Sequence, residues 1–146
     1  MTNMKQITIK VAWNNSAFEG LVSSETSYGE MKIVTKDFND IIDMGEAELK
    51  IGFDGYTEFG LELPEWYKNK EYEFVYKFQD VTAMLKAYSS YVSLAAISRE
   101  TGINSALLSH YANGLKVPRN KQQKIIVAGL HRIGALLSKC TIDDER

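Results

Sequence analysis

Apolar and polar positions alternate in the first half of the chain and recur at helical spacing in the second. In residues 5–13, Ile7, Ile9 and Val11 alternate with Thr8 and Lys10, which predicts a strand with one buried face. Asn14, Asn15 and Ser16 form a turn cluster, and residues 17–23 return as the hairpin partner. After Tyr28-Gly29, Met31, Ile33 and Thr35 predict a third short strand. Thr35 is also a capping residue type, followed by Asp37, Asp40 and Asp43. Phe38, Ile41, Ile42, Met44 and Leu49 fall at helical spacing, which predicts an amphipathic helix from 36 to about 51, ended by Phe53-Asp54-Gly55. Residues 61–66 read as irregular because Pro64 lacks an amide proton. Residues 72–78, YEFVYKF, are aromatic and β-branched and predict the strongest strand.

From Asp80 the period changes. Val81, Met84, Leu85 and Tyr88 predict a helix capped by Asp80. Residues 93–118 then read as helix, tight turn, helix and basic loop. Ser93 caps a helix carrying Leu94 and Ile97, Gly102 stops it, and Asn104 caps a second helix that ends at Asn113-Gly114. Val117-Pro118-Arg119 leads into a last helix from 120 to about 139, with Ile126, Leu130, Ile133 and Leu137 on one stripe. The order implies an α+β chain: a β-β-β-α-β domain over 1–78 and an all-α helix-turn-helix domain over 79–146, packed with almost no linker.

Charge separates the same two parts. The 146 residues carry a net charge of −2, but residues 1–79 hold 8 Lys/Arg against 14 Asp/Glu, a net of −6. Residues 80–142 hold 8 against 2, a net of +6, and the last four residues contribute −2. The basic part is the one with the paired helices, as a phosphate-binding surface requires. On a helical wheel Leu107, Leu108 and Tyr111 cluster inward, continuing an anchor made by Ile103, while Ser105, Ala106, Ser109, His110 and Asn113 point outward. That face is small, polar and free of acid, as entry into a DNA major groove demands. Asn104, at the helix N-terminus, belongs to the same face. Serine and histidine can bond base edges, and Ala106 can meet a thymine methyl. Asn113, Lys116 and Arg119 stand where they would hold the phosphate backbone, with Lys121 and Lys124 close by.

Competing chemistry is weaker. Asp37, Asp40, Asp43, Glu46 and Glu48 read as the solvated face of an amphipathic helix. His110 and His131 have no ligand partner at metal spacing, Cys140 has no neighbouring Cys or His, and no phosphate loop or nucleophile motif is present. No catalytic residue, metal or cofactor is expected. Trp66, Tyr67, Tyr72, Phe74 and Tyr76 read as sheet core. No apolar run approaches the roughly 20 residues of a membrane span, the N-terminus lacks a signal-peptide apolar region, and the lone cysteine fits a reducing, cytoplasmic setting.

Both parts together resemble HicB-family antitoxins with a C-terminal repressor-like helix-turn-helix. The resemblance rests on Met31-Lys32-Ile33-Val34-Thr35 running into a helix, on Leu63-Pro64-Glu65-Trp66, and on Tyr72-Glu73-Phe74-Val75-Tyr76-Lys77-Phe78. More specific are Thr101-Gly102-Ile103-Asn104, Leu108-Ser109-His110-Tyr111-Ala112-Asn113-Gly114, Pro118-Arg119, and Gly129-Leu130-His131 with Gly134. It implies a partial ribonuclease-H-like first domain without catalysis that covers a small HicA-like ribonuclease toxin. It also implies a second domain that binds double-stranded operator DNA and represses its own operon, in a homodimer or larger homo-oligomer. A dimer follows independently, since paired helices about 34 Å apart match successive major-groove turns; the last helix, with Gly129 and Gly134, is its candidate interface. The alternatives are a stand-alone regulator whose first domain oligomerises or senses a ligand without a toxin partner, and a protein-interaction adaptor that does not touch DNA.

Overall fold

The computed structural model describes residues 4–22 and 31–144. Tyr28-Gly29, after which the third strand is expected, and the expected end of the second strand at Ser23 lie outside these residues. Among the described residues the order is β1 (Lys5–Asn14), β2 (Ala17–Val22), β3 (Met31–Thr35), α1 (Phe38–Glu58), α2 (Glu65–Lys68) and β4 (Tyr72–Phe78). It continues with α3 (Val81–Tyr88), α4 (Leu94–Thr101), α5 (Ser105–Ala112) and α6 (Asn120–Leu137). The class is α+β. The chain divides into two compact units, Met1–Ala83 and Met84–Arg146, with the division inside α3.

In the first unit, Asn15 and Ser16 both take positive φ, +53° and +60°. This is the primed geometry that matches strand twist in a two-residue hairpin. It sets the β1–β2 register from Trp13 opposite Phe18 to Ile9 opposite Val22. β3 adds antiparallel to β2, and β4 runs parallel to β1 from Lys5–Tyr72 to Val11–Phe78. The sheet order is β3-β2-β1-β4. A parallel neighbour requires a crossover, and α1 lies within it. Period-two alternation sends Ile7, Ile9, Val11, Phe18, Val22 and Ile33 to one face, where they are buried with Phe38, Ile41, Leu49 and Phe53 of α1. The helix lies so close that a Cβ on Gly45 would sit 2.8 Å from Ile9 Cδ1.

α1 is longer than its expected end near residue 51, and Gly52 and Gly55 are inside it. Each helical glycine costs about 1 kcal/mol. Burying Phe53 gains about 2–3 kcal/mol, and its edge contacts with Tyr56 and Trp66, at ring-centroid distances of 5.0 and 5.5 Å, add to this. Packing therefore carries the helix through both glycines. Its cap is Asp37, which accepts from Asn39 N at 3.0 Å, rather than Thr35. Thr35 stays in β3 and donates to Asp40 Oδ2 at 2.6 Å. The segment read as irregular contains the one-turn α2, because Pro64 precedes its first residue and a missing amide costs nothing there.

Tyr72, Phe74 and Tyr76 are half-buried rather than fully enclosed, as are Trp66 and Tyr67. They form a ring cluster at the rim of the α1–sheet core, with Phe53–Tyr67 at 4.3 Å and Phe38–Tyr76 at 5.3 Å between centroids. Tyr72 donates to Glu46 Oε1 at 2.5 Å. Partial burial, then this bond to a carboxylate, pushes the phenol well above its usual range.

The second unit buries Met84, Leu85, Ala87, Ile97, Ile103, Leu108, Tyr111 and Ile126. α4 packs against α5 and α6. α3 starts as expected, with Asp80 accepting from Ala83 N at 2.8 Å. α6 ends at Leu137, and its expected stripe is buried only in part. Ile126 is enclosed and Leu130 and Ile133 are half-buried, but Leu137 is 61% exposed, beside Leu136 at 70%. Among the described residues no helix is long and apolar enough to cross a membrane.

Candidate nucleic-acid interface

The candidate surface is assembled by local chemistry in the connection between α4 and α5. Ser93 caps α4 by accepting from Ala96 N at 3.1 Å. Gly102 ends it at φ +78°, a left-handed conformation costly for any residue with a Cβ. Thr101 then donates to Ile97 O at 2.7 Å and accepts from Ile103 N at 3.2 Å. Ser98 Oγ donates to Ile103 O at 2.5 Å. These bonds satisfy backbone groups that the turn would otherwise orphan, and they fix the direction in which α5 leaves.

Asn104 caps α5, its Oδ1 accepting from Ala106 N at 2.7 Å. Leu108 and Tyr111 are buried and Leu107 is half-buried, so one side of α5 is anchored. On the other side Ser105, Ala106 and Asn113 are exposed or half-buried, as are Ser109 and His110. Asn113 Nδ2 donates to Ser109 Oγ at 3.4 Å, so these two outward side chains brace each other. The residues chosen for groove contact thus lie on one accessible strip, without an acid among them.

The exit from α5 is equally defined. Gly114, at φ +75°, donates to Tyr111 O at 3.2 Å, and Leu115 N donates to His110 O at 2.9 Å. This paired closure reverses the chain just past the helix. Pro118 is buried and anchors the far end, and its carbonyl accepts from Gln123 Nε2 at 3.2 Å. Between these anchors Leu115 and Val117 stand 71% and 80% exposed on either side of exposed Lys116. Residue pattern alone suggests nothing of these two apolar side chains; the reversal at Gly114 is what turns them outward.

Electrostatics sharpen the picture. Only Asp80 and Glu100 are acidic between residues 80 and 142. Asp80 is committed to its cap. Glu100 is taken by Arg132, with Nε–Oε1 at 2.6 Å, and the same guanidinium donates to Glu100 O at 3.1 Å. Among the described residues Lys116, Arg119, Lys121 and Lys124 are all exposed and none has a carboxylate partner. They cluster within nine residues, from 116 to 124, around the start of α6.

The two glycines read as a candidate interface separate. A Cβ on Gly129 would lie 2.5 Å from Thr101 Cγ2, so this glycine serves the approach of α6 to α4 within the unit. A Cβ on Gly134 meets nothing within 4 Å. Among the described residues no group of three or more His, Cys, Asp or Glu side chains could hold a metal ion. No protein-family model, curated protein or solved structure matches this chain.

Proposed function

We propose that the chain is a sequence-specific DNA-binding transcriptional regulator of the HicB antitoxin type, with α4 and α5 as its helix-turn-helix and α5 as the reading element. The observation that carries this is the acid-free strip of Ser105, Ala106, Ser109, His110 and Asn113, bordered by four cations without carboxylate partners among the described residues. An α-helix fits a groove about 12 Å wide only if its leading face is small and not negative. Lys116, Arg119, Lys121 and Lys124 then neutralise phosphates, while the α5 side chains meet base edges. The N-terminus of α5 brings its positive dipole end toward the backbone.

The antitoxin part of the proposal rests on the family resemblance together with the sheet. Three antiparallel strands followed by a helix and a strand parallel to the first, in the order β3-β2-β1-β4, suit a partial ribonuclease-H-like module. In this reading the acidic module covers a HicA-like toxin and has no catalytic role. The regulator acts as a homodimer or larger homo-oligomer, and the exposed Leu136 and Leu137 with open Gly134 offer α6 as the contact between copies. Repression of its own operon follows from binding there.

Selection of bound sequences from a random duplex pool tests the reading element. The wild-type chain enriches one motif, whereas Ser105→Ala, Ser109→Ala and His110→Ala blur it at individual positions. Removing a side chain that bonds well to a base edge costs about 1–3 kcal/mol of discrimination. A pool that shows no enrichment for the wild type removes the proposal.

A further inference from the structure

The sheet of the first unit has a second face, turned away from α1. Strand register places Lys77 beside Lys10, Lys10 beside Leu21, and Leu21 beside Lys32. Three lysines therefore stand in a single row across all four strands. Neighbouring strands are about 4.8 Å apart, so Lys10 and Lys77 face each other as like charges at short range, which destabilises a sheet. Glu19, on the same surface, takes Lys32 at a loose 3.7 Å. Among the described residues Lys10 and Lys77 have no carboxylate partner. The row lines a concavity of 620 Å³ whose polar wall also includes Gln79, Asn14 and Glu19, the last taken by Lys32 and by Asn14 Nδ2 at 3.4 Å. That volume lies in the roughly 300–1,000 Å³ range of small-ligand sites.

We propose that this concavity binds a compact phosphate-bearing anion through Lys10, Lys77 and Lys32. Uncompensated like charges held in register by a rigid sheet are relieved by an anion that bridges them. Lysine ammoniums act as point charges suited to phosphate, without the fork that pairs arginine with carboxylates. A long nucleic acid is disfavoured, because the surrounding part of the chain carries −6 and repels an extended polyanion. Tyr72, Phe74 and Tyr76 offer this face no ring for base stacking, since they alternate to the other side of β4. A small anion within about 10 Å of the row feels chiefly the lysines. This site is independent of the DNA reading and uses no residue of the second unit.

Calorimetric titration of the full chain with sodium tripolyphosphate at low salt tests the proposal. One anion binds per chain at the lysine row, apart from any held by the 116–124 cations, and the double variant Lys10→Gln/Lys77→Gln weakens binding at the row about tenfold or more. Two controls keep the wild-type affinity: Lys36→Gln/Lys68→Gln, and Lys116→Gln/Arg119→Gln/Lys121→Gln/Lys124→Gln. Circular dichroism confirms that each variant folds. No binding by the wild type, unchanged binding by the Lys10/Lys77 variant, or loss in the quadruple variant overturns the proposal. Equal affinity for a hexaglutamate peptide at the same lysines also overturns it, in favour of an acidic protein partner.

Discussion

Glu100 of α4 holds Arg132 of α6 twice, through its carboxylate at 2.6 Å and its carbonyl at 3.1 Å. The pair joins two helices through residues 32 apart in sequence and removes one of the two acids from the basic part of the chain. It is half-exposed, so its electrostatic worth is modest. Arg132→Ala is expected to lower stability by about 1 kcal/mol, read as a shifted urea midpoint at unchanged slope. An unshifted midpoint would show that the bridge does not hold α6.

The two α6 glycines are expected to respond with opposite signs. Gly134→Ala adds a side chain in open space and gains up to about 1 kcal/mol of helix propensity. Gly129→Ala gains the same propensity but drives a Cβ into Thr101 Cγ2, and overpacking costs about 1–3 kcal/mol. Thr101→Ser removes that methyl while keeping the hydroxyl that serves Ile97 and Ile103, and it is expected to restore much of the loss. Thermal melts of the three variants check this; equal gains at both glycines contradict the packing.

Asn104 separates stability from binding. Its carbonyl oxygen caps α5, and aspartate caps equally well. Asn104→Asp therefore keeps the melting temperature but sets a negative charge at the end of the helix proposed to meet phosphates. Duplex affinity is expected to fall while Tm stays within a degree or two; Asn104→Ala is expected to lose about 1 kcal/mol of stability. A drop in Tm for the aspartate variant would assign the residue another role.

Much of this surface is legible in the sequence because its determinants are local. A capping serine, Gly102, Asn104 and the Asn113-Gly114 stop each act within a few residues, so the helix pair follows from spacing. What spacing does not reveal depends on distant partners. Phe53 keeps α1 helical through two glycines only because Tyr56, Trp66 and Tyr67 receive its ring. The parallel pairing of β1 with β4 joins residues far apart in the chain, Lys5 with Tyr72, and the lysine row exists only once that register is set. Arg132 counts as free positive charge in the sequence, yet Glu100 takes it.

Alkaline stability follows from three tyrosines. Burial first, and then the Glu46 bond, raise the Tyr72 phenol above its usual value of about 10. Burial also raises Tyr67 and Tyr88. A group raised in the folded state contributes fully below its unfolded pKa and loses that contribution as pH climbs toward the folded one. Stability is thus expected to hold to about pH 10 and fall beyond it, less steeply in Tyr72→Phe. Urea midpoints between about pH 8 and 11.5 check the slope; a flat profile would contradict the burial of these phenols.

The most direct measurement is the salt dependence of binding to the duplex upstream of the chain's own gene. If α5 and the 116–124 segment meet DNA as proposed, log affinity falls linearly with log salt, by about 0.9 per phosphate neutralised. Replacing Lys116, Arg119, Lys121 and Lys124 with alanine flattens that line by up to about 3–4 in slope. Binding that is absent at low salt, or a slope the quadruple variant leaves unchanged, would contradict the proposed interface.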